Sequence, residues 1–218
     1  MATALAASER WKLRMTLARA SEVLRQEGIR SLWFKLLGDT VYRRLLLVER
    51  PLREPILEVK ARVPIEISLL QKSEIAEYRE FRAGTDVAEV QSQLDAEDRC
   101  VVARHQGRLV AANWATTNHV WLDYLSCEFR LAIDEVYSYD AFAASAFRGQ
   151  NLLPTLDAEQ LHHFCAAGYR RMVSTSLPEN RASLRVGAKS GYRPYGLIGY
   201  VKIGPWKWHF CRVGNAPT

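Results

Sequence analysis

Apolar residues recur along this chain with two different periods, and the switches between them mark the elements. From Pro64 onward, short runs with every second residue apolar give way to stretches with apolar residues three and four apart, the signatures of strand and helix in turn. Residues 65–70 read as a first strand, 73–81 and 86–97 as helices, and 100–105 with 109–117 as a hairpin about Gln106-Gly107. Residues 119–133 fit neither period. Beyond them 135–143 reads as a strand, 153–167 as a helix, 171–176 as a strand and 180–189 as a helix ending near Gly191. Residues 192–203 and 206–213 form a final strand pair.

The first 62 residues differ. Residues 9–48 read as helix: Leu13, Leu17, Ala20, Val23 and Leu24 share one face, Gly28 interrupts, and Ile29, Leu32, Trp33, Leu36 and Leu37 resume the stripe until Gly38. A third short helical stretch, 41–48, sets Tyr42, Leu45 and Leu46 beside Arg43 and Arg44, and Pro51, Pro55 and Pro64 punctuate an extended connection. The chain thus divides into an N-terminal helical extension, 1–62, and an α/β domain, 63–218. At 218 residues and 48% hydrophobic it can bury one substantial core.

Charge sharpens that division. The extension holds 13 of the 30 Lys and Arg but 7 of the 24 Asp and Glu, so the whole net charge of +6 lies there. A basic amphipathic segment fits contact with an anionic membrane or a partner helix through residues 9–53. It equally fits an apolar stripe laid on the domain with its arginines solvated. Its positives are interleaved with acids and no nucleic-acid-binding motif accompanies them, which argues against nucleic acid as partner. Cys100, Cys127, Cys165 and Cys211 form no CxxC pair, which indicates reduced thiols. No apolar run reaches the roughly 18 residues that span a bilayer, and Arg10, Lys12 and Arg14 lie inside the first stretch, against a cleaved leader. A cytoplasmic protein, peripheral to a membrane at most, is the expectation. His162 and His163 point about 100° apart on a helix and cannot clasp one metal, so no metal is expected.

The chemistry gathers around Arg148-Gly149-Gln150-Asn151-Leu152, where a strand ends and a helix begins. A helix start leaves unpaired N–H groups and a partial positive charge, so an anion is stabilised there; Arg148 adds a fixed charge and Gly149 lets backbone approach closely. One helix and one strand later comes Asn180-Arg181-Ala182-Ser183, followed by Lys189-Ser190-Gly191-Tyr192. Together these runs, over roughly residues 64–210, resemble the paired signature of the GNAT superfamily of N-acetyltransferases. Asn151 and Leu153 stand where that family has glycine and glycine or alanine, and Asn accepts a left-handed backbone better than most residues.

The resemblance implies the GNAT fold, a mixed, mostly antiparallel central sheet flanked by helices, and acetyl transfer from acetyl-CoA, or another acyl-CoA, to a primary amine of a small molecule, sugar or peptide. It implies that Arg148, Gly149, Gln150, Asn151 and Leu152 hold the pyrophosphate. Asn180, Ser183 and Lys189 lie beside the pantetheine arm, and the backbone at Phe142, Ala143 and Ala144 polarises the thioester opposite a splayed strand over 173–176. Small side chains at Ala141, Ala143 and Ala144 leave room for that arm. A homodimer is compatible with the resemblance. Strand alternation sets Glu135, Tyr137 and Tyr139 on one face. Glu135 is the expected base, directly or through water, and Tyr137 orients the amine; the alternative is a strand-end carboxylate beside packing tyrosines. Asp140 lies on the opposite face. The tyrosine that serves many relatives as general acid is replaced by Gly187, leaving Tyr192, Tyr195 or Tyr200 as substitutes. The altered turn and absent tyrosine also fit a catalytically degenerate acyl-CoA sensor or scaffold. The runs Tyr42-Arg43-Arg44-Leu45 and Glu49-Arg50-Pro51-Leu52 resemble extended family members of bacterial envelope-polysaccharide pathways.

Overall fold

A computed structural model describes residues 41–214 in two compact units, 44–198 with 211–214, and 41–43 with 199–210. Ten strands alternate with four helices: β1 Tyr42–Pro51, β2 Glu66–Leu69, α1 Ile75–Phe81, α2 Val87–Asp95, β3 Arg99–His105, β4 Arg108–Thr116, β5 Val120–Leu122, β6 Cys127–Phe129, β7 Glu135–Ala143, α3 Leu152–Ala166, β8 Arg171–Ser176, α4 Arg181–Lys189, β9 Arg193–Ile203 and β10 Trp206–Val213. Eight strands form one sheet in the order β10-β9-β1-β8-β7-β4-β3-β2, and β5 pairs with β6. Within the sheet β7 and β8 run parallel, whereas β1–β8, β2–β3, β3–β4 and β4–β7 are antiparallel.

The sequence explains the local turns. Gln106 and Gly107 both have positive φ, 52° and 76°, the backbone of a two-residue hairpin whose twist suits the flanking strands. The Asp86 carboxylate accepts from the Ala88 N–H at 2.9 Å and starts α2; Asn180 does the same for the Ser183 N–H at 3.1 Å and starts α4.

In the larger unit, alternation divides the core between the sheet's two faces. Cys100 and Val102 of β3 turn to a cluster with Tyr78, Val90 and Trp114, where the Trp114 indole N–H donates to the Tyr78 hydroxyl at 2.9 Å. Val101 and Ala103 turn the other way, onto Leu152 and Leu156 of α3.

One predicted element is corrected. The short helix expected over 41–48 is strand β1, paired with β8 from Leu46↔Ser176 to Pro51↔Arg171. Leu45, Leu47 and Val48 are buried there, and so are Glu49 and Arg50. Arg171 ion-pairs with Glu49 at 2.5 Å. The Arg50 guanidinium donates to the carbonyls of Ser190 and Pro51 at 3.1 and 3.0 Å and to the Glu54 carboxylate at 2.9 Å. A Cβ on Gly191 would stand 2.8 Å from Arg50 Nε, so glycine there makes room for this arginine. Residues 45–52 are therefore interior structure rather than surface for a membrane or partner helix. The rest of the expected extension, 9–40, lies outside the described residues, and among the described residues no helix is long and apolar enough to cross a membrane.

In the smaller unit, Tyr42 stacks on Phe210 at 5.9 Å and Trp206 on Trp208 at 6.4 Å. Trp206 and Trp208 are exposed, so they are not core.

Candidate functional site: a parted strand pair between a glycine turn and a cavity

β7 and β8 pair only over Glu135↔Arg171, Val136↔Met172 and Tyr137↔Val173. Beyond that point β7 stays with β4, out to Ala143↔Ala111, and among the described residues its other edge is left without a partner strand. Two side-chain bonds sit at the parting: Ser174 Oγ donates to the Ser138 carbonyl at 2.8 Å, and the Tyr137 hydroxyl meets Thr175 Oγ1 at 2.7 Å. A strand paired on one edge offers half of its N–H and C=O groups to an incoming extended chain. A bulge follows, between Ala112 and Trp114 of β4, where Asp140 takes φ 50° and ion-pairs with Arg82. The extra residue changes the parity of β7, so Phe142 packs on Phe81 of α1 while Ala143 faces the α3 side.

At the end of β7 the chain enters the turn read from the sequence. The Ala144 N–H donates to the Val110 carbonyl at 2.9 Å, Ser145–Phe147 make one tight turn, and Gly149 and Asn151 take φ 81° and 59° before α3 begins at Leu152. No atom lies within 4 Å of a Cβ built on Gly149, so its surface is open to a close approach. Leu152 is buried, and Leu153 packs against the same apolar cluster as Ala143 and Phe147. Arg148 is exposed. Lys189 Nζ donates to Asn151 Oδ1 at 2.8 Å, which brings a second cation to the turn from α4. Asn180 and Ser183 are occupied with each other as the cap of α4.

The other expected residues separate. Tyr137 and Tyr139 line a cavity of about 510 Å³ together with Thr116, Thr175, Asp98 and Trp121. The Tyr139 hydroxyl donates to Asp98 Oδ2 at 2.7 Å. Burial, and then the adjacent Asp98 carboxylate, hold that hydroxyl protonated far above the usual tyrosine range. Burial also raises Tyr137, against the hydrogen bond with Thr175. Glu135 does not line this cavity. It is 5% exposed, and its oxygens accept from Arg171 Nε at 2.7 Å, Arg170 Nη2 at 3.1 Å and the Ala132 N–H at 3.1 Å. The expectation of Glu135 as base gives way to a buried structural carboxylate, because two guanidinium groups and an amide occupy its lone pairs. Asp98 takes its place in the cavity; lying in the turn before β3, it carries no periodic signal. Gly187 lies within α4, and neither Tyr192 nor Tyr195 lines the cavity. Among the described residues no three His, Cys, Asp or Glu side chains are grouped to hold a metal.

A mostly antiparallel open sheet flanked by helices also occurs in solved structures that resemble this one. A GNAT-family protein from Novosphingobium aromaticivorans DSM 12444 superposes with a TM-score of 0.50 at 15% identity, over 72% of this chain and 62% of its own. The chain has the GNAT fold. A GCN5-related N-acetyltransferase from Kribbella flavida matches that GNAT core with a TM-score of 0.50 at 16% identity, over 77% of this chain and 60% of its own. The GCN5-related glucosamine N-acetyltransferase region of a fungal multi-domain GH3 β-N-acetylglucosaminidase gives 0.53 at 16%, over 83% of this chain and 22% of that one. The chain thus spans less than two thirds of each of these proteins. No protein-family model and no curated protein matches the sequence.

Proposed function

We propose that this chain is an acyl-CoA-dependent N-acyltransferase, moving an acetyl or other short acyl group to a primary amine. The observation that carries the reading is the parting of β7 and β8 between two different surfaces, an open glycine turn with left-handed Asn151 and a cavity at Tyr137 and Tyr139. Open space at Gly149, the N–H groups of the first turn of α3, and the cations Arg148 and Lys189 fit a pyrophosphate. The free edge of β7 beyond Ser138 fits the amides of a pantetheine arm, which would add to it as a strand does. The acyl group then lies near the bulge, within reach of an amine held in the cavity.

In transfer, the amine nitrogen forms a bond to the acyl carbon, the carbon–sulfur bond breaks, and the sulfur leaves as thiolate to be protonated from solvent. The chain's part is to orient the amine and take its proton. Tyr139 stays protonated and cannot accept; Asp98, which receives the Tyr139 hydrogen bond and faces the same cavity, is the carboxylate placed to do so. Tyr137, fixed by Thr175, orients the amine.

Calorimetry with acetyl-CoA tests the cofactor half directly. Wild type should bind in the micromolar range, and Arg148→Ala should weaken binding about tenfold, the loss of one charge-assisted contact to phosphate. A folded wild type that binds no acetyl-CoA overturns the proposal.

A further inference from the structure

β9 and β10 meet at a two-residue turn, Gly204-Pro205, where Gly204 takes φ 58°, the left-handed backbone that suits the first central position of a hairpin. Such a turn sets Ile203 opposite Trp206 and Lys202 opposite Lys207, so alternation gives the hairpin two unlike faces. Ile203, Trp206 and Trp208 share one, with Phe210 stacked on Tyr42 at its foot. Tyr200, Lys207 and His209 share the other: Lys207 Nζ stands 4.1 Å from the centre of the Tyr200 ring, and the His209 ring 5.7 Å from it. Every residue from Lys202 to His209 is exposed. Ile203, Trp206 and Trp208 leave 64%, 67% and 53% of their surface uncovered. Three large apolar side chains on one face of one tip are more than scattered single exposures, and a patch of that kind marks a surface that another body covers. Charge says which body. Residues 180–218 contain no Asp or Glu, and the hairpin carries Lys202, Lys207 and Arg212.

We infer that the tip of this hairpin is a membrane-surface anchor, which docks the chain on a bilayer containing anionic lipid. An indole has an apolar body and one N–H donor, and it is stabilised at the depth of the headgroups, where one end is dry and the other wet. A lysine lays its four-carbon stem along apolar surface and carries its ammonium out to the phosphates. The two kinds of side chain are neighbours here, in Lys202-Ile203 and in Trp206-Lys207-Trp208. A carboxylate in this stretch would be repelled by an anionic leaflet, and none occurs from residue 180 onward. A protein partner makes no such demand, since the rim of a protein interface pairs charges of both signs. The inference stands apart from the acyltransfer reading. It also places the membrane contact away from residues 45–52, which are interior.

Flotation of the full chain with two kinds of vesicle is the test: phosphatidylcholine alone, and phosphatidylcholine with about one third phosphatidylglycerol. Affinity should be at least tenfold higher for the anionic vesicles and fall as salt is raised. Lipids brominated on the acyl chain should quench part of the tryptophan fluorescence. The double variant Trp206→Ala, Trp208→Ala should remove that part of the quenching and lower vesicle affinity at least tenfold. Lys202→Gln with Lys207→Gln should lower affinity for anionic vesicles about thirtyfold and leave that for neutral ones unchanged. Far-ultraviolet dichroism and urea unfolding confirm that both variants are folded. Vesicle affinity and quenching undiminished in the indole variant would put the contact elsewhere on the chain and overturn the inference. A chain that ignores both kinds of vesicle overturns it as well; if that chain sediments as a dimer which the indole substitutions dissociate, the face is a contact between two copies.

Discussion

At the scale of single residues, two carboxylates near β7 have opposite surroundings. Glu135 is enclosed and bound to two arginines, whereas Asp98 faces the cavity and holds Tyr139. If Asp98 takes the proton, Asp98→Asn should lower kcat/KM for thiol release about a hundredfold or more, the usual range for loss of a positioned base. It should also remove the acidic limb of the pH–rate profile. Tyr139→Phe removes a hydrogen-bond donor from Asp98 and should reduce the rate less. Glu135→Gln should leave the limb in place and lower stability instead, by about 3 kcal/mol, because Arg170 and Arg171 lose a buried partner. An unchanged pH profile in Asp98→Asn would exclude Asp98 as the base.

At the scale of elements, β1 is the sharpest disagreement between pattern and structure. Leu47 is 1% exposed, and truncating a core leucine leaves both lost transfer energy and a cavity. Leu47→Ala should therefore cost about 3 kcal/mol in urea unfolding, whereas a residue on a peripheral helix would lose well under 1 kcal/mol. The reason for the misreading is physical. A short apolar run buried on both faces has no period, and Tyr42, Leu45 and Leu46 fit helical spacing by accident. Strand β7 and helix α3 were legible because their patterns extend over 9 and 15 residues. The left-handed Asn151 stands where the resembled family has glycine, and its side chain accepts that backbone better than most. The hairpin of β5 and β6, three residues each, is too short to show alternation, yet it brings Trp121 to the cavity. The pairing that encloses Glu135 joins it to Arg171, 36 residues further on, a contact that no local pattern carries.

At the scale of the larger unit, a buried polar network ties the elements behind the parted strands. Asp157 of α3 accepts from Asn113 of β4 at 2.8 Å and from Ser190, beyond α4, at 2.6 Å. Ser138 of β7 donates to Asn113 at 3.2 Å. Burial pushes the Asp157 carboxyl up to about 6, with those two donors opposing. Its folded pKa thus lies above the ordinary carboxylate value near 4. Between about pH 4 and 6 the folded chain holds this proton and the unfolded chain does not. Stability from Asp157 is therefore fully present below about pH 4 and is lost as pH rises through about 6, by roughly 3 kcal/mol, with no further change above. Asp134 and Asp95, whose pKa values are lowered by hydrogen bonds from Arg170 and Lys72, act in the opposite direction, so the wild-type curve alone mixes the two. Asp157→Asn isolates the effect, since an amide keeps the size of the side chain and the Ser190 hydroxyl can turn to accept from it. Urea unfolding at pH 4, 5, 6 and 7 should show the wild type losing roughly 3 kcal/mol relative to Asp157→Asn between the ends of that range. A difference independent of pH would mean that Asp157 keeps an ordinary carboxylate pKa in the fold, and that the network stabilises its charge as much as burial disfavours it.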